Sequence, residues 1–231
     1  MGRKPPLEIS ALLLKPLLRH SFGRWHHEAP ARIDDMCNEY QRYVPLGIIS
    51  EQFSQIRIPL RFPEGLPNLA PTSIRIGEVG TIVRPSSSEP GAVELVQRPW
   101  SWRGPTGKPV FNFRSEGREF KRGRCLIVAD GFFEFTDDPD AQAKRAKKKK
   151  WLFTKNDEPW FCIAGLWRTD DKSGEAYTML TTSPGPDVAP YHDRQVAVLH
   201  REQWPVWLDE AKSVKGLIGP LPAGTLSTAA V

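Results

Sequence analysis

Twenty-two prolines are scattered through 231 residues, close to twice the usual share of roughly one in twenty. Proline lacks an N–H to donate and its ring clashes with the preceding helical turn. Long uninterrupted helices are therefore excluded, and short strands joined by turns are favoured. Hydrophobic residues make up 39% of the chain, which is enough for a core, and no stretch approaches the roughly 18 apolar residues of a membrane span.

The strand signals are runs of β-branched and aromatic residues bounded by turn formers. They fall at residues 74–83 (broken by Gly77 and Gly80), 124–129, 132–135, 151–154, 160–167, 177–182 and 196–199. Ile48, Ile49, Phe53 and Ile56 repeat at helical spacing and predict one short amphipathic helix ending before Pro59. A helical piece is expected over 115–122, stopped by Gly123, and another over 202–210 with Pro205 in its first turn. Residues 216–231 are rich in small residues, Pro and Gly, and are expected to form a flexible tail. The fold class is thus α+β, a single strand-dominated domain over residues 36–215.

The formal charge is +5, but Lys144, Arg145 and Lys147 to Lys150 supply six positive charges within seven residues, so the remainder carries −1. A basic run of this kind reads either as a solvated loop or as a phosphate-attracting edge. Three cysteines cannot pair completely and nothing resembles a secretion signal, so a cytoplasmic protein that is monomeric and free of cofactors is expected. Cys125 and Cys162 sit inside apolar strands as inert thiols. Residues 1–35 carry three of the five histidines and no regular pattern; they read as a flexible extension, and the pair His26-His27 is too little to hold a metal.

Cys37 differs from the other two because Met36 precedes it. With Met36 as the working start, removal of the methionine, or cleavage after it, leaves Cys37 as the N-terminus and creates a 1,2-aminothiol. Its α-amine has a pKa of about 8 against roughly 10.4 for lysine, so a useful fraction is neutral at pH 7. That amine can condense with an aldehyde, after which the thiol can close a five-membered thiazolidine ring. Glu134, framed by Phe132, Phe133 and Phe135, either lies on the solvent face of an alternating strand or is a carboxyl whose pKa the aromatic frame raises. Trp100 and Trp102 can stack on nucleic-acid bases, or one of them can pack in the core.

Met36-Cys37, Asn68-Leu69-Ala70-Pro71-Thr72, Asn112-x-Arg114-x-Glu116, Ala129-Asp130-Gly131-Phe132-Phe133-Glu134-Phe135, Ala164 to Trp167, Thr181-Thr182 and His192-Asp193-Arg194 occur in that order. Together they resemble the SRAP family, the SOS-response-associated peptidases or abasic-site processing proteins. The resemblance implies a strongly curved, barrel-like β core with short flanking helices, and a cleft for single-stranded DNA. It implies that Cys37 bonds covalently to the open-chain aldehyde of an abasic site, that Asn112 positions it, that Glu134 moves protons and that His192 assists Schiff-base formation. Arg114 and Arg194 become candidates for phosphate contacts.

Two departures stand out. The family commonly has Gly-Arg after Met-Cys, where this chain has Asn38 and Glu39. Its Trp-Gly-Leu-x-Pro segment is replaced by Val96 to Trp102. Two other functions compete: a thiol autopeptidase that releases its own N-terminal segment, and a non-catalytic binder of single-stranded nucleic acid.

Overall fold

The structure is a computed structural model that describes residues 1–2, 37–137, 148–170 and 174–231. Residues 37 onward belong to one compact unit, Ile33–Val231. In chain order its strands are β1 (Glu39–Arg42), β2 (Leu60–Arg61), β3 (Thr72–Arg75), β4 (Val79–Pro85), β5 (Val93–Pro99), β6 (Trp102–Arg103), β7 (Pro109–Val110) and β8 (Asn112–Arg114). These are followed by β9 (Arg124–Ala129), β10 (Gly131–Thr136), β11 (Lys149–Lys155), β12 (Phe161–Asp170), β13 (Gly174–Thr182), β14 (Gln195–Val196), β15 (Val198–Leu199) and β16 (Leu226–Ala230). Helix α1 (Leu46–Gln55) and the single turn α2 (Trp204–Leu208), preceded by a short 3-10 helix at Arg201–Gln203, complete the described elements.

A five-stranded sheet runs β16-β11-β10-β1-β3, a nine-stranded sheet is built along β14-β13-β12-β9-β4-β5-β2, and β6 pairs with β7 as a small ribbon. The large sheet is buried on both faces, which explains why its strands read as nearly continuous apolar runs. Side chains alternate by two. Cys125, Ile127, Phe161, Ile163, Tyr177 and Met179 face one core together with Tyr40, Phe132 and Phe153 of the five-stranded sheet. Leu126, Val128, Cys162, Ala164 and Leu180 face a second core, closed by Ile49 and Phe53 of α1 and by Trp204 and Trp207 of α2. The strand-dominated reading is therefore right. The strand pairing forms open paths, and no closed barrel exists among the described residues.

Two local expectations fail. Residues 115–122 form a turn and irregular chain rather than a helix. Ser115 donates both its backbone N–H and its hydroxyl to the Thr181 carbonyl, each at 2.9 Å, and Gly117 takes a left-handed φ of 69°, so the chain is bound to β13 where a helix would have to start. The C-terminal segment 216–231 is not a free tail. Its Leu226–Ala230 strand pairs with β11 along the edge of the small sheet, and Leu221 and Leu226 are buried in the core beside Phe153. The small residues Ser227, Ala229 and Ala230 weaken the pattern that marks a strand. Of the basic run, Lys149 and Lys150 open β11, while residues 144, 145 and 147 lie outside the described residues, as does the expected extension 3–35.

Deleting residues 221–231 strips two buried leucines and an edge strand. At about 1.5–3 kcal/mol for each buried leucine, we expect a loss of at least 3 kcal/mol, read as a lower urea midpoint. An unchanged midpoint would return this segment to the status of a tail.

Candidate functional site

Antiparallel pairing of β1 with β10, Tyr40 opposite Phe132 and Gln41 opposite Gly131, brings the start of β1 alongside Glu134. Cys37 lies just before β1 and is 2% exposed. Its thiol donates to the Glu39 carbonyl at 3.5 Å, and its own carbonyl accepts from Asn112 Nδ2 at 2.9 Å. Asn112 reaches it from β8, which runs parallel to β13 with Asn112 opposite Met179. Three chain segments distant in sequence thus meet at Cys37.

Glu134 is 2% exposed. On a strand whose alternate residue Phe132 enters the core, it points inward, so of the two sequence readings the aromatic-frame one holds and the solvent-face one does not. Burial pushes its carboxyl well above the usual 4.5, with the charge of Asp193 adding to the effect. Burial likewise raises the Cys37 thiol well above its ordinary value, and the charge of Glu134 pushes in the same direction. Burial thus favours the protonated form of both the carboxyl and the thiol. Cys125 and Cys162 are fully buried and burial raises both of their thiols, as inert thiols require.

The His192 loop reaches this region through its aromatic neighbour. Tyr191 packs edge-on against Trp151 at 4.7 Å and Phe153 at 5.3 Å, and Trp151 is the strand partner of Glu134. The His192 side chain is 8% exposed, and its Nδ1 accepts the Arg194 backbone N–H at 2.9 Å. The same Nδ1 lies 3.1 Å from the Arg194 carbonyl, so the backbone N–H and C=O of Arg194 compete for it, the first favouring a ring protonated on Nε2 and the second one protonated on Nδ1.

Other candidates sit differently. Arg114 ends β8 with its side chain exposed. The Arg194 guanidinium is held as a fork by Glu116 at 2.5 and 2.8 Å and also donates to Thr181 Oγ1 at 3.1 Å, so it is not free for a phosphate. Trp100 is fully buried, donates Nε1–H to the Phe111 carbonyl at 2.8 Å and meets the Tyr40 ring edge-on. Trp102 is also buried, with the Arg168 guanidinium 4.5 Å over its ring. Both tryptophans are packing residues; neither presents a free face for stacking on a base.

Sequence reasoning noted Glu39 only as a departure and gave it no role; it is 5% exposed. Its carboxylate binds Lys150 at 2.8 Å and Arg75 at 3.4 Å, and Lys150 also sits 3.8 Å over the Phe133 ring. The unusual Glu39 was the signal for this cluster; its partners come from β3 and β11, which nothing in the linear sequence connects to it. Among the described residues no group of three or more metal-ligating side chains occurs, and no helix is long and apolar enough to cross a membrane.

The raised carboxyl of Glu134 makes a pH prediction. Below pH 4.5 it is protonated in folded and unfolded chains alike, and its contribution to stability is fully present. As pH rises the unfolded chain releases this proton first, so that contribution falls by about 1.4 kcal/mol per pH unit until the folded value is passed. Glu134→Gln should therefore lose less stability than the parent between pH 5 and 8, measured as urea midpoints; parallel profiles would place Glu134 in solvent.

Comparison with known proteins gives one family. The model of the SOS response associated peptidase (SRAP) matches residues 100–231, and no curated protein matches the chain. Among solved structures, a protein from Bordetella bronchiseptica is 22% identical, with 84% of this chain and 99% of that one covered at a TM-score of 0.62. A protein from Bacteroides thetaiotaomicron is 17% identical over 84% and 92%, with a TM-score of 0.64. A phage-related protein from Bordetella bronchiseptica is 19% identical over 84% and 94%, with a TM-score of 0.62. These likenesses establish a shared fold, and with more than half of its length matched by the family model, the chain belongs to the SOS response associated peptidase family.

Proposed function

We propose that this protein caps abasic sites in single-stranded DNA by a covalent thiazolidine bond made by Cys37 as an N-terminal residue. The observation that carries the reading is the meeting of Cys37 with Asn112, which holds its carbonyl, and with the buried Glu134, which lies close enough to interact electrostatically with its thiol. Family membership supports it.

The chemistry follows from the protonation states. An abasic sugar is mostly a closed hemiacetal, and a protonated Glu134 supplies the general acid that ring opening needs. The neutral Cys37 amine then attacks the aldehyde carbon, and loss of water leaves a Schiff base. The thiol adds to that carbon, a C–S bond forms, and the thiol proton ends on nitrogen. Asn112 fixes the nucleophile, and His192 serves the proton transfers around the imine. Arg114 remains available for a backbone phosphate.

A thiol held in its protonated form is a poor first nucleophile, which favours attack by the amine over a thiol autopeptidase. A non-catalytic binder would have no use for a buried acid beside a cysteine. On this reading the active protein begins at Cys37.

Protein beginning at Cys37 should form an adduct with abasic single-stranded DNA that survives denaturing electrophoresis, and Cys37→Ala should abolish it. Glu134→Gln and His192→Ala should slow its formation by about 100-fold, at the low end for general acid/base catalysis, with non-covalent affinity nearly intact. An adduct of full yield from Cys37→Ala would overturn the assignment.

A further inference from the structure

The segment that supplies Asn112 continues into Glu116, and Glu116 reaches the other half of the site. Its carboxylate takes both terminal nitrogens of Arg194 in a fork, and this pairing holds the carboxyl below its ordinary value. Arg194 is tied a second time to Thr181 of β13, and its side chain is only 11% exposed. The backbone N–H of the same residue donates to His192 Nδ1 at 2.9 Å, with the Arg194 carbonyl as a competing partner of that nitrogen at 3.1 Å, while the backbone N–H of His192 donates to the Val188 carbonyl at 3.0 Å. Asp193, whose carboxylate lies 3.3 Å from the same Nδ1, would draw a proton onto that nitrogen if the Arg194 backbone moved away.

We infer that Glu116 is a positioning residue for His192: its fork to Arg194 fixes the backbone N–H that keeps His192 Nδ1 an acceptor, and so keeps the proton on Nε2. Five residues, 112 to 116, then set both partners of the reaction, since Asn112 holds Cys37 and Glu116 holds the histidine. Arg194 acts here as a strut. Bidentate guanidinium-carboxylate pairs suit this task because they fix a plane as well as a distance. Wrong-tautomer histidines are costly in enzymes that depend on one ring nitrogen.

The inference rests on the proposed role of His192, and its test separates the two. Nitrogen-15 NMR of protein beginning at Cys37 reports the His192 tautomer without any DNA. In the parent, Nδ1 should appear unprotonated and Nε2 protonated. In Glu116→Ala the two tautomers should mix, and adduct formation with abasic DNA should slow on the order of 10-fold. Glu116→Gln, which keeps part of the fork, should restore the tautomer partly. Because the pair acts as one unit, Glu116→Ala combined with Arg194→Ala should be no slower than the worse single variant. An unchanged tautomer in Glu116→Ala would overturn the inference, as would slowing that comes entirely from weaker DNA affinity. If the parent makes no adduct at all, the proposed function fails while the tautomer measurement still decides the role of Glu116.

Discussion

The pairing of β1 with β10 is the constraint on which the site depends. It puts the residue just before β1 next to the inward-facing carboxyl of β10, and it does so from the middle of the five-stranded sheet, where β1 is also bonded to β3. Gly131 lies in this pairing, opposite Gln41. A Cβ there would meet Leu152 Cδ1 at 2.7 Å and Gln41 Nε2 at 3.0 Å, so any larger residue would make those two side chains shift. A slip by one residue would turn Glu134 outward and Phe133 inward, and the acid would lose the burial that keeps its proton.

Burial then sets the chemistry. Placing a carboxyl inside an aromatic core is unfavourable for its charged form, and the fold accepts that cost at Glu134 while surrounding it with Phe132, Phe153 and the Trp151–Tyr191 pair. The same dry environment keeps the Cys37 thiol neutral. In the proposed function the nucleophile is the α-amine of an N-terminal Cys37, which loses its proton more readily than a lysine does and so attacks at neutral pH without first becoming an anion. On that proposal an acid and a nucleophile share one site without neutralising each other, as a condensation that both consumes and releases protons requires.

Much of this architecture could be read from the residues, because two-faced burial leaves long apolar runs and the Phe-rich 131–136 segment announces itself. What could not be read has specific causes. β1 carries Glu39, Gln41 and Arg42, and its polar residues hide a central strand: Arg42 is buried only because it donates to the carbonyls of Leu69 and Ala70, a contact set by folding. Residues 115–122 show a helical pattern, yet bonds from Ser115 to β13 override it. Trp100 and Trp102 resemble a stacking pair in sequence, but an indole N–H finding the Phe111 carbonyl and an Arg168 cation covering a ring are tertiary facts. The order of the motifs was legible; their convergence required the β8–β13 and β1–β10 pairings.

Glu39, where the Met-Cys motif that this segment resembles has Arg, brings a buried negative charge beside Cys37. A lone buried carboxylate two residues from Cys37 would be costly, and it would also push the thiol further up, the direction in which Glu39 already acts. Lys150 and Arg75 offset it from opposite sides, one from β11 and one from β3, both strands flanking the β1–β10 pair. The local sum stays positive, by one charge, as it would with a single arginine at that position. The cationic character beside Cys37 is thus carried by β3 and β11, a shift away from the first strand. That shift ties the basic start of β11 to the site through an ion pair, and leaves the more exposed Arg75 as the outermost positive charge of the cluster.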